Sequence, residues 1–177
     1  MTEPEVSLLI ALFYIKNHKT SEVVKVSIDG AHVKIGNTIL FDIRKFLSEH
    51  NLMKMDSDAT HWQGFYKLDG YEATLEISSV PGVGDVNVRL NDGSMYYIES
   101  KKGKAGNKAN QEYALMREAI GQLMTADLDD PNIIPVVAVP WTEKSFELAN
   151  RWSKLKQIKA AGIHFMLVKE NEEVEYI

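Results

Sequence analysis

The chain contains no cysteine and no long apolar run, and each absence excludes a class of protein. Without cysteine there are no disulfides, no thiolate metal sites and no cysteine nucleophile, and the composition fits the reducing cytoplasm. The longest apolar stretch, Val6 to Ile15, is shorter than the roughly 18 residues that a membrane-spanning helix needs. It also lacks a basic leader and a small-residue cleavage site, so we expect neither a signal peptide nor a membrane partner.

Positive charge is also scarce, since 20 lysines and arginines face 25 acidic residues and leave a net charge of -5. This balance argues against a protein that coats nucleic acid, whereas a nuclease needs only a local basic patch. The other proportions, 45% hydrophobic and 25% charged, are those of a globular protein. With 177 residues and no repeat, low-complexity tract or linker, we expect one domain over residues 1–177.

The start of the chain predicts an apolar helix that continues to about His18. Thr2 can cap this helix, Glu5 stands where a capping box needs an acid, and Pro4 is tolerated in the first turn. The side chains that follow are apolar on most sides, so the helix is expected to be buried or to form an interface. The second option hints at a homodimer.

The rest of the chain alternates between strand and helix patterns. Residues 24–28 and 32–35 flank Asp29-Gly30 and predict a hairpin. A short helix over 42–50 and a strand meander over 63–101 follow. Helices are then predicted over 110–126 and 142–162, and strands over 133–139 and 163–168. Pro135 suggests that the first residues of the strand over 133–139 are unpaired. This order predicts an α/β (α+β) fold with a mixed central sheet flanked by helices.

Residues 84–101 predict a β-hairpin whose register decides which side chains meet. If Asn91-Asp92-Gly93 is a three-residue loop with Gly93 in the left-handed conformation, Leu90 pairs with Ser94. A two-residue Asp92-Gly93 turn would move the register by one residue and exchange the faces of one strand. The three-residue loop is preferred because it gives one apolar and one polar face.

In this register Asp85 lies directly opposite Glu99, and facing residues have Cβ atoms about 4.5–5.5 Å apart. Period-two alternation places Lys101 on the same face. Two facing carboxylates repel each other unless a cation lies between them. Mg²⁺ or Mn²⁺ fits such a place, because these ions accept carboxylate and carbonyl oxygens and keep several waters. The ion could activate water at a phosphodiester, and Lys101 could orient or deprotonate that water or stabilise the phosphate.

The stretch from Gly84 to Gly103 reads Gly-Asp, thirteen residues, then Glu-Ser-Lys, and it resembles the PD-(D/E)XK nuclease superfamily. The resemblance implies a restriction-endonuclease-like fold with an αβββαβ core. It also implies a magnesium-dependent nuclease that hydrolyses phosphodiester bonds in DNA by metal-activated water. The proline that precedes the aspartate in the family motif is replaced by Gly84. The likeness covers about Gln63 to Val139 well and the ends of the chain poorly.

The resemblance also implies roles for individual residues. Asp85 and Glu99 would be metal ligands, the Ser100 carbonyl a third ligand, and Lys101 the catalytic lysine. Gln122 lies in a helix that resembles the one following the motif, whose glutamine contacts the active site or substrate. The family's upstream acidic residue is left open among three candidates: Glu5, Glu49 and Glu76.

Three lysines follow the motif in a glycine-containing segment: Lys102, Lys104 and Lys108. Next to a metal site they are expected to bind substrate phosphates, although charged residues of this kind also occur in ordinary solvated loops.

Three other interpretations stay open. The domain could bind nucleic acid or a partner without cutting, although a complete Asp/Glu/Lys set argues against this, or it could cleave RNA. It could also be an interaction module in which Asp85, Glu99 and Lys101 form a surface ion cluster that contributes little stability.

Overall fold

The computed structural model describes residues 1–56, 58, 60–81, 83–103 and 109–177. The helices in these ranges are α1 (Glu3–Lys16), α2 (Ile43–Glu49), α3 (Ala109–Thr125), α4 (Glu143–Trp152) and α5 (Lys156–Ala160). The strands are β1 (Val23–Ser27), β2 (His32–Ile35), β3 (Thr38–Asp42), β4 (Leu52–Lys54), β5 (Gly64–Leu68), β6 (Thr74–Ser78), β7 (Val86–Arg89), β8 (Met95–Ser100), β9 (Ile133–Pro140), β10 (His164–Val168) and β11 (Val174–Tyr176). Among the described residues, no helix has the length and apolarity needed to cross a bilayer.

Helix α1 begins where the sequence predicts and is buried within the chain. Thr2 and Glu5 form the expected capping box, which satisfies free backbone N–H groups of the first turn. Nearly every side chain from Val6 to Ile15 is buried, because α1 packs on the central strands of the sheet. The apolar sides of α1 are therefore covered by its own chain, and they give no reason to expect a second copy.

One mixed sheet of nine strands organises the molecule, in the order β11-β10-β9-β8-β7-β1-β6-β5-β4. The pairs β8/β9, β9/β10 and β1/β6 are parallel, and the other neighbours are antiparallel. Helices pack on both faces, so the predicted fold class, a mixed sheet flanked by helices, is confirmed. Within it, α1, β1, β7, β8, α3 and β9 follow one another in the order αβββαβ, with β2 to β6 inserted between the first and second of these strands.

The predicted hairpin between residues 24–28 and 32–35 is wrong. Strand β1 pairs with β6 on one edge and β7 on the other, whereas β2 pairs with β3 in a separate two-stranded sheet. Val24 and Val26 are buried because β1 is a central strand of the large sheet. Both edges of β1 are occupied by β6 and β7, so neither edge is free to pair with β2. The meander over 63–101 is consequently interrupted, since β1 lies between β6 and β7.

Two further predictions also need correction. The helix expected over 142–162 is two helices, α4 and α5, because the chain is extended at Leu155 between them. Pro135 was expected to leave the start of its strand unpaired, but it lies in register with Tyr97 of β8. Strand β10 begins opposite Val136, so the missing N–H of Pro135 costs no hydrogen bond on that side.

Two hydrophobic layers cover the two faces of the sheet. The layer beneath α1 takes Val86 and Val88 from β7 and Ile98 from β8. The layer beneath α3 and α4 contains the alternate residues of β9, including Val137 and Val139. Strands β7 and β8 are thus held firmly on their apolar face, which leaves their polar face for other contacts.

Replacing Ile98 with alanine tests this packing. Ile98 is fully buried beneath α1, so Ile98→Ala should lower the free energy of unfolding by about 2–5 kcal/mol. The matched control is Ile39→Ala, since Ile39 lies in β3 and is 52% exposed; a change within about 0.5 kcal/mol is expected. Equal losses in urea denaturation of the two variants would contradict the assignment of Ile98 to the core.

Candidate functional site

The hairpin of β7 and β8 has the register that the sequence predicts. Val86 pairs with Ile98 and Arg89 pairs with Met95. Asp85 lies at a bend just before this ladder, and its carboxylate is close enough to Glu99 for the two charges to interact. The Leu90 N–H donates to the Ser94 carbonyl at 2.8 Å, and Gly93 has a φ of 91°. The three-residue loop is therefore confirmed, and alternation along β8 puts the side chains of Glu99 and Lys101 on one face, with the Asp85 carboxylate beside them at the start of β7.

Asp85 is fixed at three points just before β7. Its N–H donates to the Ile98 carbonyl at 3.0 Å, and its own carbonyl accepts from the Ser27 N–H at 2.9 Å. Its carboxylate Oδ2 accepts from the Ser100 N–H at 2.7 Å. The N–H and C=O of one strand residue point to the same side, so the Ser100 carbonyl is directed towards Asp85 as well.

Gly84 precedes Asp85 because a side chain there would strain the backbone and clash. Its φ is +73°, in the left-handed region that favours glycine. A Cβ at this position would also lie 2.7 Å from the Tyr97 ring. The close contact holds the chain against β8 where Asp85 must face Glu99, which accounts for glycine where the family motif has proline.

Burial and mutual repulsion make the charged forms of the two carboxylates unfavourable. Burial raises the pKa of Asp85 from 3.8 to about 7, against the opposing hydrogen bond from Ser100, and the charges of Glu99 and Glu3 add to the rise. Burial likewise raises the pKa of Glu99, while Lys101 opposes the rise. A cation between the two carboxylates would relieve this cost.

Lys101 is a buried lysine at the end of β8, with 4% of its surface exposed. Its backbone N–H donates to the Ala138 carbonyl, which fixes the position of the side chain relative to β9. Its Nζ lies 3.6 Å from Glu3 Oε1 and 3.6 Å from Glu118 Oε1. The ammonium is therefore placed by one helix from each face of the sheet, α1 and α3.

The upstream acid that contacts Lys101 is Glu3, which was not among the three candidates from the sequence. Glu5 accepts hydrogen bonds from Thr2 in the capping box, and Glu49 forms an ion pair with Lys45. Glu76 lies in β6, in register with Lys25. The sequence shows that Glu3 lies in the first turn of a helix, but it does not show which side chains that turn contacts.

The donor set around Asp85 suits a hard divalent cation better than zinc. Across the described residues, no three side chains of His, Cys, Asp or Glu come together as a metal cluster. Mg²⁺ is bound in proteins by one or two carboxylates with several waters, and does not require such a cluster. Asp85 and Glu99, with the Ser100 carbonyl directed to the same place, fit that requirement.

A cavity of about 1520 Å³ opens over these groups. Gln122 of α3 and Lys102 are exposed and line it, together with Asp85, Glu99 and Lys101. Both are therefore in place to contact a molecule bound in the cavity. Lys104 and Lys108, the other two lysines expected to contact substrate, lie outside the described residues.

Comparison with known proteins identifies no family. No model of a protein family matches the chain, and no curated protein matches it significantly. Among solved structures, a crystal structure of an XisH family protein from Nostoc punctiforme matches with 12% identity. The match covers 97% of this chain and 98% of that chain, with a TM-score of 0.38. At this TM-score the likeness carries no inference about fold or function.

The raised pKa of Asp85 predicts that the metal-free protein loses stability as the pH rises. The folded state holds the proton up to about pH 7, whereas the unfolded chain releases it near 3.8. The contribution to stability is therefore complete below about pH 4 and lost as the pH rises through 7. We expect melts in EDTA between pH 5 and 8 to show this fall, and Asp85→Asn to reduce it.

The control is Asp92→Asn, because Asp92 is exposed in the hairpin loop and its pKa is lowered by hydrogen bonds from Ser94. That variant should keep the wild-type fall between pH 5 and 8. If Asp85→Asn kept it as well, the Asp85 carboxyl would not be the group responsible.

Proposed function

We propose that the chain is a divalent-metal-dependent nuclease that hydrolyses phosphodiester bonds in DNA. The observation that carries the proposal is the Asp85 carboxylate close to the buried Glu99, with the buried Lys101 two residues beyond Glu99 on the same face of the strand. Acids that are buried or half-buried, have raised pKa values and line a cavity are typical of functional sites. A surface ion cluster does not account for them, since Glu99 is only 7% exposed.

Mg²⁺ or Mn²⁺ would be held by Asp85, Glu99 and the Ser100 carbonyl. When bound, such an ion neutralises charge on a phosphodiester and makes a coordinated water more acidic. The hydrogen bond from the Ser100 N–H to Asp85 orients the carboxylate, so this ligand is in place before any ion arrives.

The remaining residues act on the substrate. Lys101 supplies a fixed positive charge that stabilises the phosphate as negative charge develops in the transition state, and it can orient the attacking water. Lys102 attracts the phosphate backbone to the cavity, and Gln122, which also lines it, contacts substrate. The acids around Lys101, including Glu3, would repel a polyanion in the absence of a cation, which makes substrate binding depend on the metal.

Cleavage assays test the proposal directly. Plasmid DNA, single-stranded DNA and RNA would be incubated with Mg²⁺, with Mn²⁺ and with EDTA. Lys101→Ala should reduce the cleavage rate by about 100-fold or more and weaken binding only modestly, because the lysine acts mainly in the transition state. Lys102→Ala should instead weaken binding and flatten its dependence on salt. Lys156→Ala, an exposed lysine of α5, serves as the control and should behave as wild type.

Each alternative predicts a different result in the same assay. Cutting of RNA but not DNA would replace the proposed substrate, and metal-dependent binding without cutting would indicate a binding domain. Wild-type activity in Lys101→Ala would show that the catalytic assignment is wrong.

Thermal melts test the metal ligands without any substrate. Manganese should raise the melting temperature of the wild type, since a ligand that binds the folded state alone adds about 2.7 kcal/mol at 100 times its Kd. Asp85→Asn and Glu99→Gln should remove this shift, and at neutral pH each should melt slightly higher than wild type in EDTA because the repulsion is gone. Asp92→Asn should keep the shift. Equal shifts in wild type and Asp85→Asn would exclude Asp85 as a ligand.

A further inference from the structure

The Lys101 ammonium pairs with acids from two helices and not with the acids beside it on the hairpin. Its ion pairs among the described residues are with Glu3 of α1 and Glu118 of α3, both at 3.6 Å. Glu99 lies on the same face of the strand as Lys101 and the Asp85 carboxylate accepts from the intervening Ser100 N–H, yet neither acid forms an ion pair with the ammonium in the described part of the chain. The ammonium is thus separated from the two carboxylates by more than an ion-pair distance, although its charge still lowers the pKa of both.

This separation matters because a lysine ammonium can compete with a divalent cation for the same pair of carboxylates. The four-carbon stem of lysine carries a compact charge that can reach several neighbouring acids. If the Lys101 ammonium moved onto Asp85 or Glu99, it would neutralise the pair in place of a metal ion. A divalent cation would then have to displace the ammonium before it could bind.

Glu118 contacts Lys101 although its side chain is not part of the hydrophobic core beneath α3. The residues of α3 that enter the core are Met116, Ala119 and Leu123, whereas the Glu118 side chain is 59% exposed. The Glu118 carboxylate stays largely in water, so its own desolvation costs little, whereas the buried Lys101 ammonium gains a partner from the contact. Gln122, one helical turn further on, lines the cavity, so this side of α3 faces the candidate site.

We propose that Glu118 is a positioning residue that draws the Lys101 ammonium away from Asp85 and Glu99 and so keeps the carboxylate pair open to a divalent cation. The inference rests on the proposed function, because it concerns the same metal centre. Glu3 shares the contact with Lys101, but its charge also acts directly on Asp85 and Glu99. Glu118 is therefore the residue through which the effect can be isolated.

A double-mutant cycle on Mn²⁺ affinity tests the proposal. Calorimetric titrations with manganese would compare wild type, Glu118→Gln, Lys101→Met and the double variant. Glu118→Gln should weaken manganese binding about fivefold in the wild-type background, a coupling in the usual range for contacting residues. In the Lys101→Met background the same substitution should have no effect, because no ammonium remains to be positioned. Lys101→Gln provides a second background if Lys101→Met does not fold.

The control is Glu147→Gln, which removes a helix glutamate of similar exposure that pairs with Lys144 in α4; its manganese affinity should equal that of wild type. If Glu118→Gln weakens binding equally with and without Lys101, the carboxylate acts on the ion directly and the proposal is overturned. Unchanged affinity in Glu118→Gln also overturns it. Absence of manganese binding by the wild type is a different result, because it removes the proposed metal centre itself together with this inference.

Discussion

The burial of the Asp85 and Glu99 carboxylates beside each other is the constraint on which the candidate site depends. Burial is the main cause of the raised pKa of each group, and the charge of Glu99 adds to the rise at Asp85. Such an arrangement persists only where the surrounding structure holds it. The packing of Val86 and Ile98 beneath α1 supplies that support on the opposite face of the same two strands.

The architecture brings separate parts of the chain to one edge of the sheet. Glu99 and Lys101 lie at the carboxyl end of β8, where the parallel strands β9 and β10 also end. Helix α1 contributes Glu3 from one face and α3 contributes Glu118 from the other. Carboxyl ends of strands in open α/β sheets are common places for ligands, because the loops there are free to vary. The segment inserted between β1 and β7 adds the β2–β3 sheet, which forms another wall of the cavity.

The sequence predicted the hairpin of the site well because that information is local. The length of the loop 91–93, the need for a left-handed glycine and the alternation of apolar residues all lie within residues 84–101. The pairing of β1 could not be read in this way. Its partners, Thr74–Ser78 and Asn87, lie far along the chain, whereas the nearby Asp29-Gly30 signals a turn. The local turn signal favoured pairing of β1 with residues 32–35, whereas the sheet pairs β1 with two strands that are distant in sequence.

The contact between Glu3 and Lys101 could not be predicted for a related reason. The beginning of α1 was evident from Thr2 and Glu5, but the orientation of the helix across β8 was not. That orientation depends on how the buried side chains of α1 fit the central strands, and it decides that Glu3 reaches Lys101. Capping patterns locate the end of a helix and leave its tertiary contacts undetermined.

The central claim is that Asp85 and Glu99 together hold a divalent cation. Anomalous diffraction from a crystal grown with Mn²⁺ tests it most directly, because the ion is located by its own scattering. The account predicts an anomalous peak between the two carboxylates, about 2.0–2.2 Å from an oxygen of each, as expected for a small hard cation. A peak elsewhere in the molecule, or none at the site in manganese-containing crystals with both carboxylates ordered, would contradict it.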